Sequence, residues 1–153
     1  MLRHGLLATA LMLGLLSPAL AAKQQYHAIL SGKSEVPPTT TAGKGTLAAT
    51  LDTTTKTLDY TLTFEGLSGP ATAAHFHGPA APGSNAPVVV PIDGPNPTSP
   101  VTGSATLTDE QIKDLQAKKW YANVHTAANK AGEIRGQVLR GPLPKAKAAA
   151  KPK

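Results

Sequence analysis

The sequence predicts an all-β fold, an antiparallel β-sandwich or barrel of Greek-key type with one short helix. First, about eight segments alternate apolar and polar side chains with the period of a half-buried strand. Second, turn signals separate these segments at short intervals, and the chain contains 14 Gly and 14 Pro. Third, a single segment carries both the start signal and the apolar spacing of a helix.

Three strands are predicted in the first half of the chain. The segment Lys23–Ser31 alternates apolar and polar residues, and the loop at 32–43 contains two successive prolines that exclude a helix or a central strand. The segments Lys44–Leu51 and Thr57–Phe64 alternate in the same way. Because only a short turn joins them, they are predicted to form a hairpin.

The second half begins with the predicted strand Ala71–His77, which a Pro/Gly-rich loop follows at 78–87. The apolar run Val88–Val90 is typical of a short buried strand. Another loop rich in Pro and Gly, at 92–100, leads to the alternating segment Val101–Leu107. These segments extend the series of short strands and regular turns.

The predicted helix begins with the capping box Thr108–Gln111, in which two acidic residues suit the helix N-terminus. Ile112 and Leu115 follow at helical spacing, and the helix is predicted to be about three turns long. The last two predicted strands are Trp120–Thr126 and Glu133–Leu139, which are separated by a Gly-containing turn.

Three histidines stand out because they lie on one kind of strand face. Side chains alternate along a strand, so His75 and His77 point the same way and Phe76 points to the core. In the strand Trp120–Thr126, His125 lies on the face opposite to the apolar residues. All three imidazoles are therefore predicted on the polar face, away from the core.

Imidazoles close together can share a metal ion. Copper is the predicted metal, with zinc as the alternative. The predicted ligands are His75, His77 and His125, and the candidates for a fourth ligand or a supporting contact are His27, Glu35 and Glu133. The alternative is that the histidines only make structural hydrogen bonds. For Glu133, the alternative is a charge pair with the nearby Arg135. No catalytic residue is predicted.

Residues 1–22 have the pattern of a secretory signal peptide. Arg3 precedes an apolar run, and Ala19-Leu20-Ala21 fits a cleavage site; the alternative is an uncleaved anchor. The apolar run is too short for a membrane span, so no transmembrane segment is expected in the mature chain. The expected location is periplasmic or extracellular, and the absence of cysteine excludes disulfides and thiolate chemistry.

The net charge of +6 comes mainly from the chain ends. Without Arg3 and the four lysines after residue 144, ten Lys and Arg face nine Asp and Glu. A nucleic-acid-binding surface is therefore not expected. Residues 141–153 read as a disordered Lys/Ala/Pro tail, which is either simply solvated or contacts an anionic envelope polymer or an extracellular protein.

Four motifs together resemble a known family. The segments Glu35–Pro38, Ala73–Pro79, Asn123–Thr126 and Gly132–Gln137 occur in the order typical of the CHRD domain, which is named for chordin. The resemblance covers roughly 26–139 and places the domain at 23–140. It implies a secreted β-sandwich-like domain of the single-domain bacterial type.

The predicted sandwich or barrel is expected to be immunoglobulin-like or superoxide-dismutase-like. The histidine pattern is also similar to the copper half of copper-zinc superoxide dismutases. The disulfide cysteines and the zinc-loop ligands of those enzymes are missing, so the similarity concerns the site and not the activity. Three functions stay open at this point. They are a metal-binding domain, which is preferred, a non-enzymatic extracellular protein-binding module, and a copper-dependent redox enzyme.

Overall fold

The computed structural model describes residues 23–145, which fold into one antiparallel sheet, one short helix and a 3-10 turn at Gly32–Ser34. The helix α1 spans Asp109–Gln116. The strands, in chain order β1 to β9, are Lys23–Ser31, Lys44–Asp52, Thr57–Glu65, Ala71–His77, Val88–Pro91, Val101–Thr106, Tyr121–Thr126, Ile134–Gln137 and Leu139–Arg140.

The sheet closes almost completely on itself. Its strand order is β5-β4-β7-β8-β1-β2-β3-β6, every pairing is antiparallel, and β9 adds to β1 beside this path. The result is a nearly closed barrel of eight strands with one short helix. The predicted all-β class is therefore confirmed, and of the two architectures that the sequence allowed, the barrel is the one observed.

Strands β1, β2 and β3 form an uninterrupted meander. The β1–β2 register runs from Lys23 opposite Asp52 to Ser31 opposite Lys44, and β2–β3 continues it without a bulge. The predicted hairpin between the second and third strands is thus confirmed. Every second residue of these strands is buried except the half-buried Gln24 and Phe64 near the strand ends, as the alternation predicts for a sheet with one face on the core.

The barrel interior is filled by the apolar sets of all the long strands together with Trp120. Phe76 lies at its centre, with ring centroids 5.3 Å from Tyr60 and 5.7 Å from Trp120. Phe76 and Trp120 are fully buried. Phe76 therefore anchors β4 to the core and fixes the direction of its two neighbouring histidines, which must leave the strand on the other face.

The helix confirms the predicted capping box. Gln111 N donates to Thr108 Oγ1, and Thr108 N donates to Gln111 Oε1. The helix has eight residues, about two turns rather than the predicted three. It ends early because Lys118 adopts a left-handed backbone with φ 60°, which turns the chain toward β7.

Two differences from the prediction concern the last part of the sheet. The single strand predicted over Glu133–Leu139 is split into β8 and β9 at Val138, whose N–H donates to Trp120 O just outside β7. Strand β8 lies between β7 and β1, and it pairs with β7 along its length and with β1 at Arg135 opposite Ser31. Strand β9 pairs with β1 alone, at Tyr26 and His27.

The second difference is that the predicted polar face of β7 and β8 is buried. Tyr121, Asn123, Glu133 and Arg135 are each at most 3 % exposed. Two loops cover this face. Asn85 of the loop at 78–87 donates to Val36 O, and Thr39 Oγ1 donates to Glu133 O. Alternation along a strand identifies its two faces, but it does not reveal whether a loop covers the second one.

The predicted signal peptide lies outside the described residues, and so does the predicted tail beyond Lys145. Between residues 23 and 145, no helix is both long enough and apolar enough to cross a membrane.

Candidate metal centre

The three predicted histidines come from two adjacent strands, β4 and β7. In the register of this pair, His75 lies opposite Asn123, His77 opposite Tyr121, and His125 opposite Ala73. Residues directly opposite or diagonal in an antiparallel pair share a face. The sheet therefore brings together side chains that are 50 residues apart in the chain.

The three imidazoles form a compact cluster. One ring nitrogen from each of His75, His77 and His125 lies within 4.8 Å of the others. His75 Nδ1 is 3.0 Å from His125 Nε2. The ring centroids are 4.9 Å apart for His75–His125 and 5.5 Å for His75–His77. Rings this close can bind one ion after small rotations of their side chains.

Backbone carbonyls orient two of the rings. His125 Nδ1 lies 2.9 Å from Lys130 O, and His77 Nδ1 lies 2.9 Å from Ala86 O. A carbonyl can only accept, so the proton of each neutral ring is on Nδ1 and the lone pair is on Nε2. His75 Nδ1–H then donates to His125 Nε2. The bonds of His77 and His125 to backbone carbonyls are typical of metal ligands, whose second nitrogen usually donates to a fixed acceptor. The His75–His125 bond has to open before His125 Nε2 can bind an ion.

The second nitrogen of His77 is held by Asn123, whose Oδ1 lies 3.0 Å from His77 Nε2. A doubly protonated ring would satisfy both Asn123 Oδ1 and Ala86 O. A neutral ring is satisfied when the Asn123 amide turns to present its NH2 group. Metal binding at His77 Nε2 therefore requires this amide to move aside or to join the metal through its oxygen.

Burial keeps two of the three imidazoles neutral. The pKa of His75 is lowered to about 4, first by burial and then by the charges of His125 and His77. The pKa of His125 is also lowered by burial, although its hydrogen bond to Lys130 acts in the opposite direction. At neutral pH these two rings therefore carry no proton that a metal must displace from a cationic form.

An aromatic and cationic wall closes one side of the cluster. The Tyr121 ring stacks on His77 at a centroid distance of 4.7 Å and an interplanar angle of 1°. Arg135 lies with its guanidinium carbon 3.3 Å from the Tyr121 ring centroid. The Tyr121 hydroxyl accepts a hydrogen bond from Ala86 N. Tyr121 therefore holds both the His77 ring and the loop segment whose carbonyl orients that ring.

The structure does not bring the three candidate additional residues into the cluster, which contains histidines alone within the described range. His27 is on β1, with Nδ1 3.0 Å from Gly141 O. Glu133 directs its carboxylate to Thr41, Ser68, Thr126 and Asn129. The predicted charge pair of Glu133 with Arg135 is wrong, since the ion pairs among residues 23–145 include neither residue.

Glu35 is buried in a different environment. Its Oε1 has no hydrogen-bond partner, and it packs directly over Gly132, whose φ of 135° suits glycine. Burial raises the Glu35 pKa to about 7, although Arg135 and the Val36 N–H act to lower it. Glu35 therefore belongs to the surroundings of Arg135 and Asn123 rather than to the cluster.

Sequence reasoning did not identify Tyr121, Asn123 or Arg135 as parts of the site. A signal for two of them was present, because Tyr121 and Asn123 share the strand face of His125. The orienting carbonyls of Ala86 and Lys130 leave no such signal, since every residue has a carbonyl.

Comparison with known proteins gives one match. Neither a curated protein nor a solved structure matches the chain significantly. The family model of the CHRD domain matches residues 26–138, from the first strand to the turn between β8 and β9. This match contains the histidine cluster and both loops that cover the face of β7 and β8, and the chain therefore belongs to the CHRD domain family.

Proposed function

We propose that this CHRD domain binds one transition-metal ion, copper or zinc, through His75, His77 and His125. The observation that supports the proposal is the cluster itself, in which three imidazole nitrogens lie within 4.8 Å of one another. Neutral imidazole is a ligand of both metals, and three protein ligands leave room for a further group. The signal-peptide pattern supports a role in metal handling outside the cytoplasm.

The test is a titration of the tag-free protein, expressed from the full-length chain, with Cu(II) and Zn(II), followed by calorimetry. We expect one ion per chain for the wild type and at least a hundredfold weaker binding for the double variant His75→Ala, His77→Ala. The matched control is His27→Ala, which removes a histidine outside the cluster. Binding that persists in the double variant, or that disappears in His27→Ala, would contradict this assignment of ligands.

A second candidate is a non-enzymatic extracellular protein-binding module with structural histidines. The observation that favours it is that each ring already has hydrogen bonds without an ion, as in the His75–His125 contact at 3.0 Å. If so, the double variant would lose stability, and neither the wild type nor the variant would bind metal. The third function left open by the sequence, a copper-dependent redox enzyme, is tested by measuring redox turnover of bound copper once copper binding has been established.

A further inference from the structure

A buried cation that forms no ion pair in the described part of the chain lies beside the proposed metal centre. Arg135 is 2 % exposed, and it donates to Ser84 O at 2.6 Å and to Asn85 Oδ1 at 2.9 Å. Both acceptors are uncharged. The ion pairs between residues 23 and 145 do not include Arg135. The guanidinium therefore keeps its full positive charge inside the protein.

Tyr121 connects this charge to the cluster. The guanidinium carbon is 3.3 Å from the Tyr121 ring centroid and so occupies that face of the ring. His77 stacks in parallel on Tyr121 at 4.7 Å and must therefore use the other face. A positive charge thus lies one aromatic ring away from a proposed ligand, in surroundings where solvent screens it little.

The carboxylates do not offset this charge at the ligands. In the described part of the chain, the cluster contains imidazoles alone. Glu133 directs both oxygens into a network of hydroxyl, amide and backbone donors. Glu35 interacts electrostatically with Arg135. No ion pair joins the two among residues 23–145, and burial keeps the Glu35 carboxyl partly protonated at neutral pH by raising its pKa to about 7. A bound metal ion would therefore meet neutral ligands and a neighbouring cation.

Such surroundings favour the metal ion of lower charge. Repulsion from Arg135 grows in proportion to the charge of the ion, and neutral imidazoles provide no compensating negative charge. A set of three ligands also departs from the tetragonal geometry that Cu(II) prefers. In metal centres, groups beyond the ligands tune affinity and redox potential by charge and burial in this way.

We propose that the three-histidine centre selects Cu(I) over Cu(II) and Zn(II), and that Arg135 acts through Tyr121 as the positioning residue that sets this selection. The inference rests on the proposed function and specifies the ion and its charge.

The experiment measures three dissociation constants for the full-length, tag-free protein. Cu(I) is supplied under anaerobic conditions in competition with bicinchoninate, and Cu(II) and Zn(II) are titrated in competition with nitrilotriacetate. We expect Cu(I) to bind at least tenfold more tightly than either divalent ion. Equal or tighter binding of Cu(II) or Zn(II) would overturn the selection, whereas no binding of any of the three ions would overturn the proposed function itself.

Variants test the part played by Arg135. Removing the charge with Arg135→Gln is expected to lower the preference for Cu(I) over Cu(II) by roughly tenfold and to lower the reduction potential of the bound copper. Arg135→Lys, which keeps the charge, should retain most of the preference. The control is Arg140→Gln, since Arg140 is exposed. If Arg135→Lys loses as much preference as Arg135→Gln, the role of the charge is disproved.

Discussion

Glu35 and Glu133 are both buried carboxyl groups, but they differ in the hydrogen-bond donors that surround them. Glu133 accepts hydrogen bonds from Thr41, Ser68, Thr126 and Asn129. Glu35 has one oxygen with no partner. The first group is therefore stabilised as an anion and the second as a neutral acid, and the two should give opposite pH dependences of stability.

For Glu133, burial raises the pKa, but the hydrogen bonds from Ser68, Thr126 and Thr41 outweigh burial and lower the pKa to about 2. Because the folded-state pKa lies below the unfolded value, the stabilisation is present above pH 4.5 and is lost as the pH falls toward 2. We expect Glu133→Gln to reduce the free energy of unfolding at pH 7 by about 2–3 kcal/mol.

Urea denaturation at pH 7 and at pH 2.5 measures this effect. The difference between Glu133→Gln and the wild type should shrink at the lower pH. The control is Glu65→Gln, which affects only an exposed ion pair with Lys44. An equal loss of stability at both pH values would show that the charge of Glu133 is not the cause.

For Glu35, burial raises the pKa from 4.5 to about 7. The folded protein therefore holds this proton more tightly than the unfolded chain, and stability falls as the pH rises from about 4.5 to about 7. We expect Glu35→Gln to remove this slope and to be more stable than the wild type at pH 8, by on the order of 2 kcal/mol.

The measurement is the free energy of unfolding of the wild type and Glu35→Gln at pH 5 and pH 8. Parallel pH dependences of the two proteins would contradict the assignment of the proton to Glu35. A copper or zinc titration of the same variant should remain close to the wild type, because Glu35 lies outside the histidine cluster.

The residues of the cluster were predictable because they depend on local alternation and on adjacent strands. His75 and His77 must share a face whatever the fold, and His125 needs only the β4–β7 pairing to join them. Tyr121 was predictable in the same way, because it shares the strand face of His125 and lies opposite His77. The contribution of Arg135 was not predictable, because it depends on contacts with the loop at 78–87. Loop conformation is a tertiary property that the strand pattern does not contain.

Among the elements, α1 is capped at its N-terminus by side-chain hydrogen bonds to the backbone. Thr108 and Gln111 exchange two hydrogen bonds, and this box is exposed to solvent. Replacing the capping residue with Thr108→Ala is expected to destabilise the protein by about 1 kcal/mol. Thermal denaturation measures this, with Thr102→Ala on the exposed side of β6 as the control. A Thr108→Ala variant as stable as the control would show that the box contributes nothing.

The strands differ in how well the sequence predicts them. The meander β1–β3 follows directly from alternation and one short turn. The break between β8 and β9 does not, because the segment 134–140 continues the alternation while it loses its pairing with β7 and keeps only its pairing with β1. Which strand pairs with which is decided by barrel closure, and a single segment carries no information about it.

At the scale of the whole molecule, the proposed ion should stabilise the fold. A ligand that binds the folded state alone adds about 2.7 kcal/mol at a free concentration of one hundred times Kd. We expect copper to raise Tm by roughly 10 °C for a domain of this size. Calorimetry with and without the metal measures the shift, which should vanish in His75→Ala, His77→Ala and persist in His27→Ala. An equal shift in the double variant would indicate non-specific binding.

The barrel class was predictable, whereas its closure and its second buried layer were not. Short alternating segments and frequent turns indicated an antiparallel sheet, and the strand order β5-β4-β7-β8-β1-β2-β3-β6 is consistent with that class. The loop at 78–87 is rich in Pro and Gly and suggested only a surface connection. In the structure it carries Asn85 and Ala86, which bind Arg135 and orient His77.

The cover over the histidines has a consequence for the order of events in the life of the chain. His75 and His77 are neighbours, but the carbonyl that aligns His77 belongs to a loop that Arg135, 50 residues further along, holds in place. A chain that has not yet docked β7 and β8 offers only a loose pair of imidazoles. The proposed ion is therefore expected to bind after the domain has folded, and the metal content of a preparation would report the fraction of its molecules that are folded.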